Sequence, residues 1–415
     1  MHPDRIANNP TLLAIGYVWP EPRSSAAGAH MMSLLRLFRD NGYRVLFASP
    51  AQRSEYMADL ADKNIETADI LLNDSSFDTF AADLQPDIVL FDRFMMEEQF
   101  GWRVERNCPE ALRILDTEDL QCLRHARQQA HREQRPPQAA DLFSDLAKRE
   151  IAAILRSDLS LIISDHEMAL LQESFHVDGA LLQHLPFMLN LDEMPSSGKP
   201  FSERHHFVTI GNFRHAPNWD SVLYLQQIWP LIRKTLPTAQ LHIYGSYAPK
   251  KAMALNNPQT GFLVKGRAED ALTALSEARV CLAPLRFGAG IKGKLIDAML
   301  AGTPSVTTDL GSEGMNGKLP WPGRVANSAE GIAEAAIELY QNEALWQASQ
   351  QRIAPVLQTR YDGRKLGEAL LSRITALREN LETHRQNNFT GAMLRHHSMR
   401  STEYMSRWIE AKNKP

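Results

Sequence analysis

Residues 284–315 read PLRFGAGIKGKLIDAMLAGTPSVTTDLGSEGM. The apolar run 279–283 before them predicts a short buried strand, 291–301 a helix, and 305–308 the next strand. Between strand and helix, Gly288, Gly290 and Gly293 interleave with Lys292 and Lys294. A strand that turns through glycines into a helix start offers bare backbone N–H groups and the positive end of a helix dipole. That combination suits a phosphate or diphosphate. Several readings fit the loop. G-A-G-I-K-G satisfies the dinucleotide fingerprint, with Asp309 near the place of a ribose-binding acid, which would make the chain an NAD-dependent oxidoreductase. The same residues satisfy GxxxxGK, but Leu295 stands where a P-loop requires Ser or Thr. A nucleotide-sugar diphosphate site and a plain packing turn also fit. The loop alone leaves these open.

Composition narrows them. The chain has 415 residues, 44% hydrophobic and 23% charged, with a formal net charge of −4. This suits two ordinary domains with sizeable cores, and argues against nucleic acid as a partner. Cys108, Cys122 and Cys281 are scattered, fitting neither a disulfide framework nor a zinc pattern. No apolar run approaches a membrane span and no signal-peptide pattern opens the chain, so a cytoplasmic protein is expected.

Along the chain, apolar runs at 12–18, 44–48, 70–72, 87–91, 111–115 and 159–164 alternate with helical patterns, predicting an open parallel sheet. A first Rossmann-like domain is expected over 11–190. A polar linker follows, with Pro195, Ser196, Ser197, Gly198 and Pro200. The pattern then restarts, with strands at 207–210, 240–244, 262–265, 280–283 and 305–308 in a second Rossmann-like domain, 205–355. Residues 356–415 read as a helical segment with a basic tail, where Arg385, Arg395, Arg400, Arg407, Lys412 and Lys414 face only Glu403 and Glu410. A solvated helix folded back on the body is the favoured reading of this tail. A face toward a partner, or a peripheral contact with the inner face of a membrane, is the other. The basic run 124–135, RHARQQAHREQR, reads as an exposed helix, or as a face toward anionic lipid or acceptor.

Two such α/β domains facing across a cleft, with the glycine loop late in the second, resemble the GT-B fold. The stretches IGNFRHAPN (210–218), APLRFGAGIK (283–292), Asp297-Ala298-Met299, Gly311-Ser312-Glu313-Gly314 and Ser164-Asp165-His166-Glu167 are similar to group 1 (family 4) retaining glycosyltransferases. The likeness covers most of the chain. It favours the nucleotide-sugar reading, because a nicotinamide fingerprint normally follows the first strand of its domain.

The resemblance implies transfer of a sugar from a UDP- or GDP-type donor to a glycan or lipid-linked acceptor, without cofactor. The sequence holds no D-x-D pair to carry a metal. Arg214 and Lys292 are then the cations that meet charge growing on the departing diphosphate, in a loop region that includes Gly211. The family's paired acids fall on Ala289 and Asp297. Asp297 inherits a ribose-hydroxyl role, and backbone N–H groups of Ala289, Gly290 and Ile291 are left to hold the sugar. Gly288 belongs to the same cradle, Arg267 lies near the base, and Glu313 touches ribose or sugar or caps a turn. On the first domain the resemblance points to Gly28 for close approach. His30, Asp92 and Arg93 are expected on the acceptor side, and Asp116 as a carboxylate for sugar hydroxyls or the acceptor proton. A GT-B-shaped protein that binds nucleotide-sugar without catalysis is the reading the missing acid favours.

Overall fold

Two parallel sheets covered by helices make up residues 9–193 and 199–413, which this computed structural model describes. The first sheet holds β1 (Thr11–Ile15), β2 (Arg44–Ser49), β3 (Glu66–Asp69), β4 (Ile88–Asp92), β5 (Leu112–Asp116), β6 (Leu159–Ile162) and β7 (Leu182–His184), in the order β3-β2-β1-β4-β5-β6-β7. The second holds β8 (His205–Ile210), β9 (Leu241–Tyr244), β10 (Phe262–Gly266), β11 (Ala278–Ala283), β12 (Ser305–Thr307) and β13 (Gly323–Val325), in the order β10-β9-β8-β11-β12-β13. The expected α/β architecture of two Rossmann-like sheets stands.

The central strands β1, β4, β5 and β6 are buried along their whole length, because helices cover both faces of the sheet. Their apolar side chains, Leu12, Leu13, Ile88 and Val89 among them, each contribute about 1.5–3 kcal/mol by leaving water. In each sheet the strand order reverses beside the first strand, between β1 and β4 and between β8 and β11. Loops leaving such neighbours run apart and open a crevice at the strands' carboxyl ends. The glycine run follows β11, the fourth strand of its sheet, whereas the first strand-to-helix turn of that sheet carries Gly211. A nicotinamide fingerprint would sit at that first turn.

Some boundaries moved. The first helix runs Ala26–Asp40, starting earlier than its apolar pattern, because the Ser25 hydroxyl accepts the Gly28 N–H and caps it. The third strand is Glu66–Asp69; Leu71 and Leu72 lie beyond it, exposed in a turn. The helix after the glycines begins at Gly293 rather than Ile291. The short strands β7 and β13 escaped the sequence reading, which needs longer alternation to register a strand. Of the linker, Pro195, Ser196, Ser197 and Gly198 fall outside the described residues.

Residues 356–413 are not an appendage. Leu370, Ile374 and Leu377 of the Gly363–Glu379 helix share a core with Leu12, Leu34 and Leu112 of the first domain. Val356, Leu357 and Tyr361 join Ile163 and Phe187 of the first domain to Leu295 and Met299 of the second. The last helix, Phe389–Asn413, lies back along the first-domain helices Phe94–Asn107 and Asp145–Arg156, as the favoured reading of the tail expected.

Candidate active site

The two topological switch points face each other across a cavity of about 890 Å³. Its first-domain wall includes Gly28, Asp92, Arg93, Glu118, Asp119 and Arg124. Its second-domain wall includes Gly211, Arg214, Tyr247, Arg267, Gly288, Ala289, Ile291, Lys292 and Asp297.

The second-domain wall is built from the turn and helix start that follow β11. Lys292, Gly293, Lys294 and Asp297 all line the cavity, so the first turn of the Gly293–Leu300 helix opens into it. Lys292 is buried, and its Nζ donates to the Gly290 carbonyl at 2.6 Å. Burial pulls its ammonium down to about 8, with Glu313 and Glu167 holding part of the charge in place. Burial, helped by Asp270, pushes Asp297 up to about 7. Arg214 lies over the Tyr247 ring at 3.6 Å, and Arg267 over Tyr56 of the first domain at 4.6 Å.

The first-domain wall is built differently. β4 and β5 are neighbours in register, with Asp92 opposite Asp116. The chain leaves each at positive φ on a residue other than glycine, Arg93 at 70° and Glu118 at 59°. Such backbone costs on the order of 1–3 kcal/mol per residue and clusters at functional sites. Beneath Arg93 and Glu118 lies His30, only 1% exposed, with Nε2 3.7 Å from Asp116 Oδ2. Burial alone would lower His30, but Asp116, with Glu118 and Asp92, outweighs it and raises the imidazole to about 9. Glu118 is raised to about 8 by burial and by Asp116. His30 and Asp116 therefore lie behind the wall rather than on it, and the cavity meets Asp92, Arg93 and Glu118. This corrects the expectation of direct contact for those two residues.

The domains meet closely around the cavity. The Gly290 N–H, expected to be free for a ligand, donates to Glu167 Oε1 of the first domain at 2.9 Å. Gly290 sits at φ 63°, and a Cβ there would come within 2.8 Å of Asp119 Cβ. A Cβ on Gly293 would lie 2.3 Å from Ala26 Cβ. Ala289 packs on the first-domain core and Ile291 on the apolar cluster shared by both domains, which accounts for apolar residues there. Arg127 makes two 2.8 Å hydrogen bonds to Glu313 and one of 2.9 Å to the Gly288 carbonyl. Glu313 is thus an interdomain partner and is not among the residues lining the cavity. On the opposite flank the Tyr247 hydroxyl donates to Glu21 at 2.8 Å.

Glu118, Asp119, Arg127 and Glu167 were missed by the sequence reading. The basic run 124–135 keeps an exposed face at His125, Gln129 and Arg132, as an exposed helix would, while its inner face pairs Arg124 with Asp119 at the cavity and Arg127 with the second domain. Their helical spacing, with His131 against Asp220, was the signal available. Among the described residues no group of three or more His, Cys, Asp or Glu side chains could hold a metal ion.

Residues 204–342 match the family described as Glycosyl transferases group 1. No curated protein matches the chain. Solved structures share the fold over nearly all of it. Sucrose-phosphate synthase from Thermosynechococcus elongatus is 14% identical, with a TM-score of 0.64 over 89% of this chain and 99% of that one. Anabaena HepE, in complex with UDP and glucose, is 10% identical, with a TM-score of 0.65 over 88% and 100%. WaaG, a glycosyltransferase involved in lipopolysaccharide biosynthesis, is 14% identical, with a TM-score of 0.63 over 86% and 98%. The fold is GT-B, and most of the second domain matches the group 1 glycosyl transferase family.

Proposed function

We propose that this protein is a retaining, metal-independent glycosyltransferase that moves a sugar from a UDP- or GDP-type donor to a hydroxyl of a glycan or lipid-linked acceptor. One observation carries the reading. The glycine turn, the helix start and Lys292 meet Arg214 on one wall of the cavity between the domains, opposite a wall of acids and Arg93. Its volume, about 890 Å³, suits a ligand of nucleotide-sugar size.

The reaction breaks the bond between the anomeric carbon and a phosphate oxygen. Negative charge then grows on the departing diphosphate while positive charge grows on the sugar ring. Lys292, Arg214 and the helix N-terminus would stabilise the first charge more in the transition state than before it. Asp297 would hold the ribose and Arg267 would lie near the base. The acceptor hydroxyl would enter from the side of Asp92, Arg93 and Glu118, on the same face as the leaving group, which retains configuration without an enzyme nucleophile. The released proton would pass to the diphosphate or to a carboxylate of that wall. Contacts between the domains would keep water from the donor. The complex of HepE with UDP and glucose supports a nucleotide-sugar as ligand class.

The test is a thermal-shift screen of nucleoside diphosphates followed by turnover with the matching nucleotide-sugars and a mixed glycan extract. Stabilisation by one diphosphate and consumption of its sugar donor are expected. Absence of any stabilisation rejects the proposal. Stabilisation without consumption favours the binding-only reading, which the alanine at 289 would suit.

A further inference from the structure

The last helix divides its residues by character. Over Phe389–Asn413 its only acids are Glu403 and Glu410, and both are engaged on the side toward the body. Glu403 pairs with Arg106 of the first domain and with Arg407, and Glu410 accepts from Ser75 Oγ at 2.7 Å. Met399 and Ser406 are buried on that same side, and Arg395 reaches Glu105.

The opposite side carries Phe389, Met393, Arg400, Tyr404, Trp408 and Lys412, one turn apart except for the two turns from Met393 to Arg400, and all of them are exposed. Phe389 is 71%, Tyr404 66% and Trp408 59% exposed. Lys412 Nζ lies 5.1 Å from the Trp408 ring. Large aromatics left in water along one stripe indicate a surface that something covers. The hydrogen bond from Ser75 also brings the turn after β3, with exposed Leu71 and Leu72, to the far end of this helix.

We propose that this face rests on an anionic lipid surface. The stripe runs about 35 Å at the usual helical rise, long enough to lie flat along a surface. Its cations lack acids on the same side, so charge complementarity calls for a negative partner. Tyr and Trp place an apolar ring and a polar tip at one depth, as the headgroup boundary of a bilayer requires. No helix is long and apolar enough to cross a membrane among the described residues, so the contact would be peripheral. The inference does not rest on sugar transfer.

Sedimentation of the full chain with vesicles tests it. Binding to phosphatidylglycerol–phosphatidylcholine vesicles at low salt is expected, with none to phosphatidylcholine alone and release at high salt. Arg400→Gln with Lys412→Gln should weaken binding roughly thirtyfold, at about one tenfold step or less per charge. Tyr404→Ser with Trp408→Ser should remove it, and the exposed positions leave the melting temperature unchanged. The proposal is overturned by absence of binding at low salt, by binding that neither pair of substitutions alters, or by equal binding to neutral vesicles. A dimer in light scattering that both pairs dissolve, without vesicle binding, would assign the face to a second copy instead.

Discussion

The two walls of the cleft solve different problems with different materials. The second-domain wall is mostly backbone and cation: a glycine turn, a helix start, Lys292 and Arg214. Such a wall is suited to charge and size rather than to detailed shape, as the proposed diphosphate site requires. The first-domain wall is mostly buried side-chain charge held on strained backbone, with Asp92, Arg93 and Glu118 in front and His30 and Asp116 behind. Buried charge is sensitive to geometry and to pH, so this wall is where specificity for an acceptor can reside. A tolerant surface faces a discriminating one.

Four experiments break or sharpen that contrast. The largest effect is expected from Arg214→Ala combined with Lys292→Ala, which should lower kcat by about a thousandfold with a smaller change in KM for donor. Unchanged turnover would remove the second wall's role in leaving-group stabilisation. Gly293→Val, whose side chain would meet Ala26, should hold the domains apart and cost about a hundredfold in turnover. Normal turnover would mean that this close approach is not part of the reacting state.

The first wall is tested by pH. His30 titrates near 6.5 when unfolded and is raised to about 9 in the fold, and Glu118 is raised from 4.5 to about 8. Both groups bind protons more tightly when folded. Their contribution is therefore present below their unfolded values and is lost as pH rises, from 4.5 to 8 for Glu118 and from 6.5 to 9 for His30. Denaturant unfolding should show stability falling across that range. His30→Gln should lower stability at pH 6 by about 3 kcal/mol, because Asp116 loses its buried partner. It should also flatten the slope between pH 6.5 and 9. Glu118 keeps some slope below pH 8 in His30→Gln, so a slope that persists between pH 8 and 9 would place the titration elsewhere. The smallest effect belongs to Arg127→Ala, which removes the link to Glu313. Because that pair is partly exposed, a loss of roughly fivefold in turnover is expected, measured at saturating donor. A loss as large as that of the Gly293 variant would make Arg127 part of the chemistry.

The legibility of the site followed the same division. Gly288, Gly290, Lys292 and Asp297 were readable because a strand, a turn and a helix start are local events, and their chemistry follows from adjacency. Gly290 shows the limit. Its place in the turn was foreseen, but its N–H partner, Glu167, lies 123 residues away and was not. Glu313, expected to touch ribose or sugar or to cap a turn, pairs with Arg127 across the domains, and nothing in its own neighbourhood announces that partner. His30 and Asp116 were read as wall residues; the side chains meet, but behind the surface.

Local patterning was enough for most of the strands and helices, the restart of the pattern near residue 205 and the glycine turn. Each follows from hydrophobic period and turn chemistry over a few neighbouring residues. The closed contact of the domains, the burial that moves His30, Glu118 and Lys292 from their ordinary titration, and the return of residues 363–413 to the first domain were decided only in three dimensions. Those properties depend on which distant side chains share a desolvated space, and separation along the chain carries no record of that.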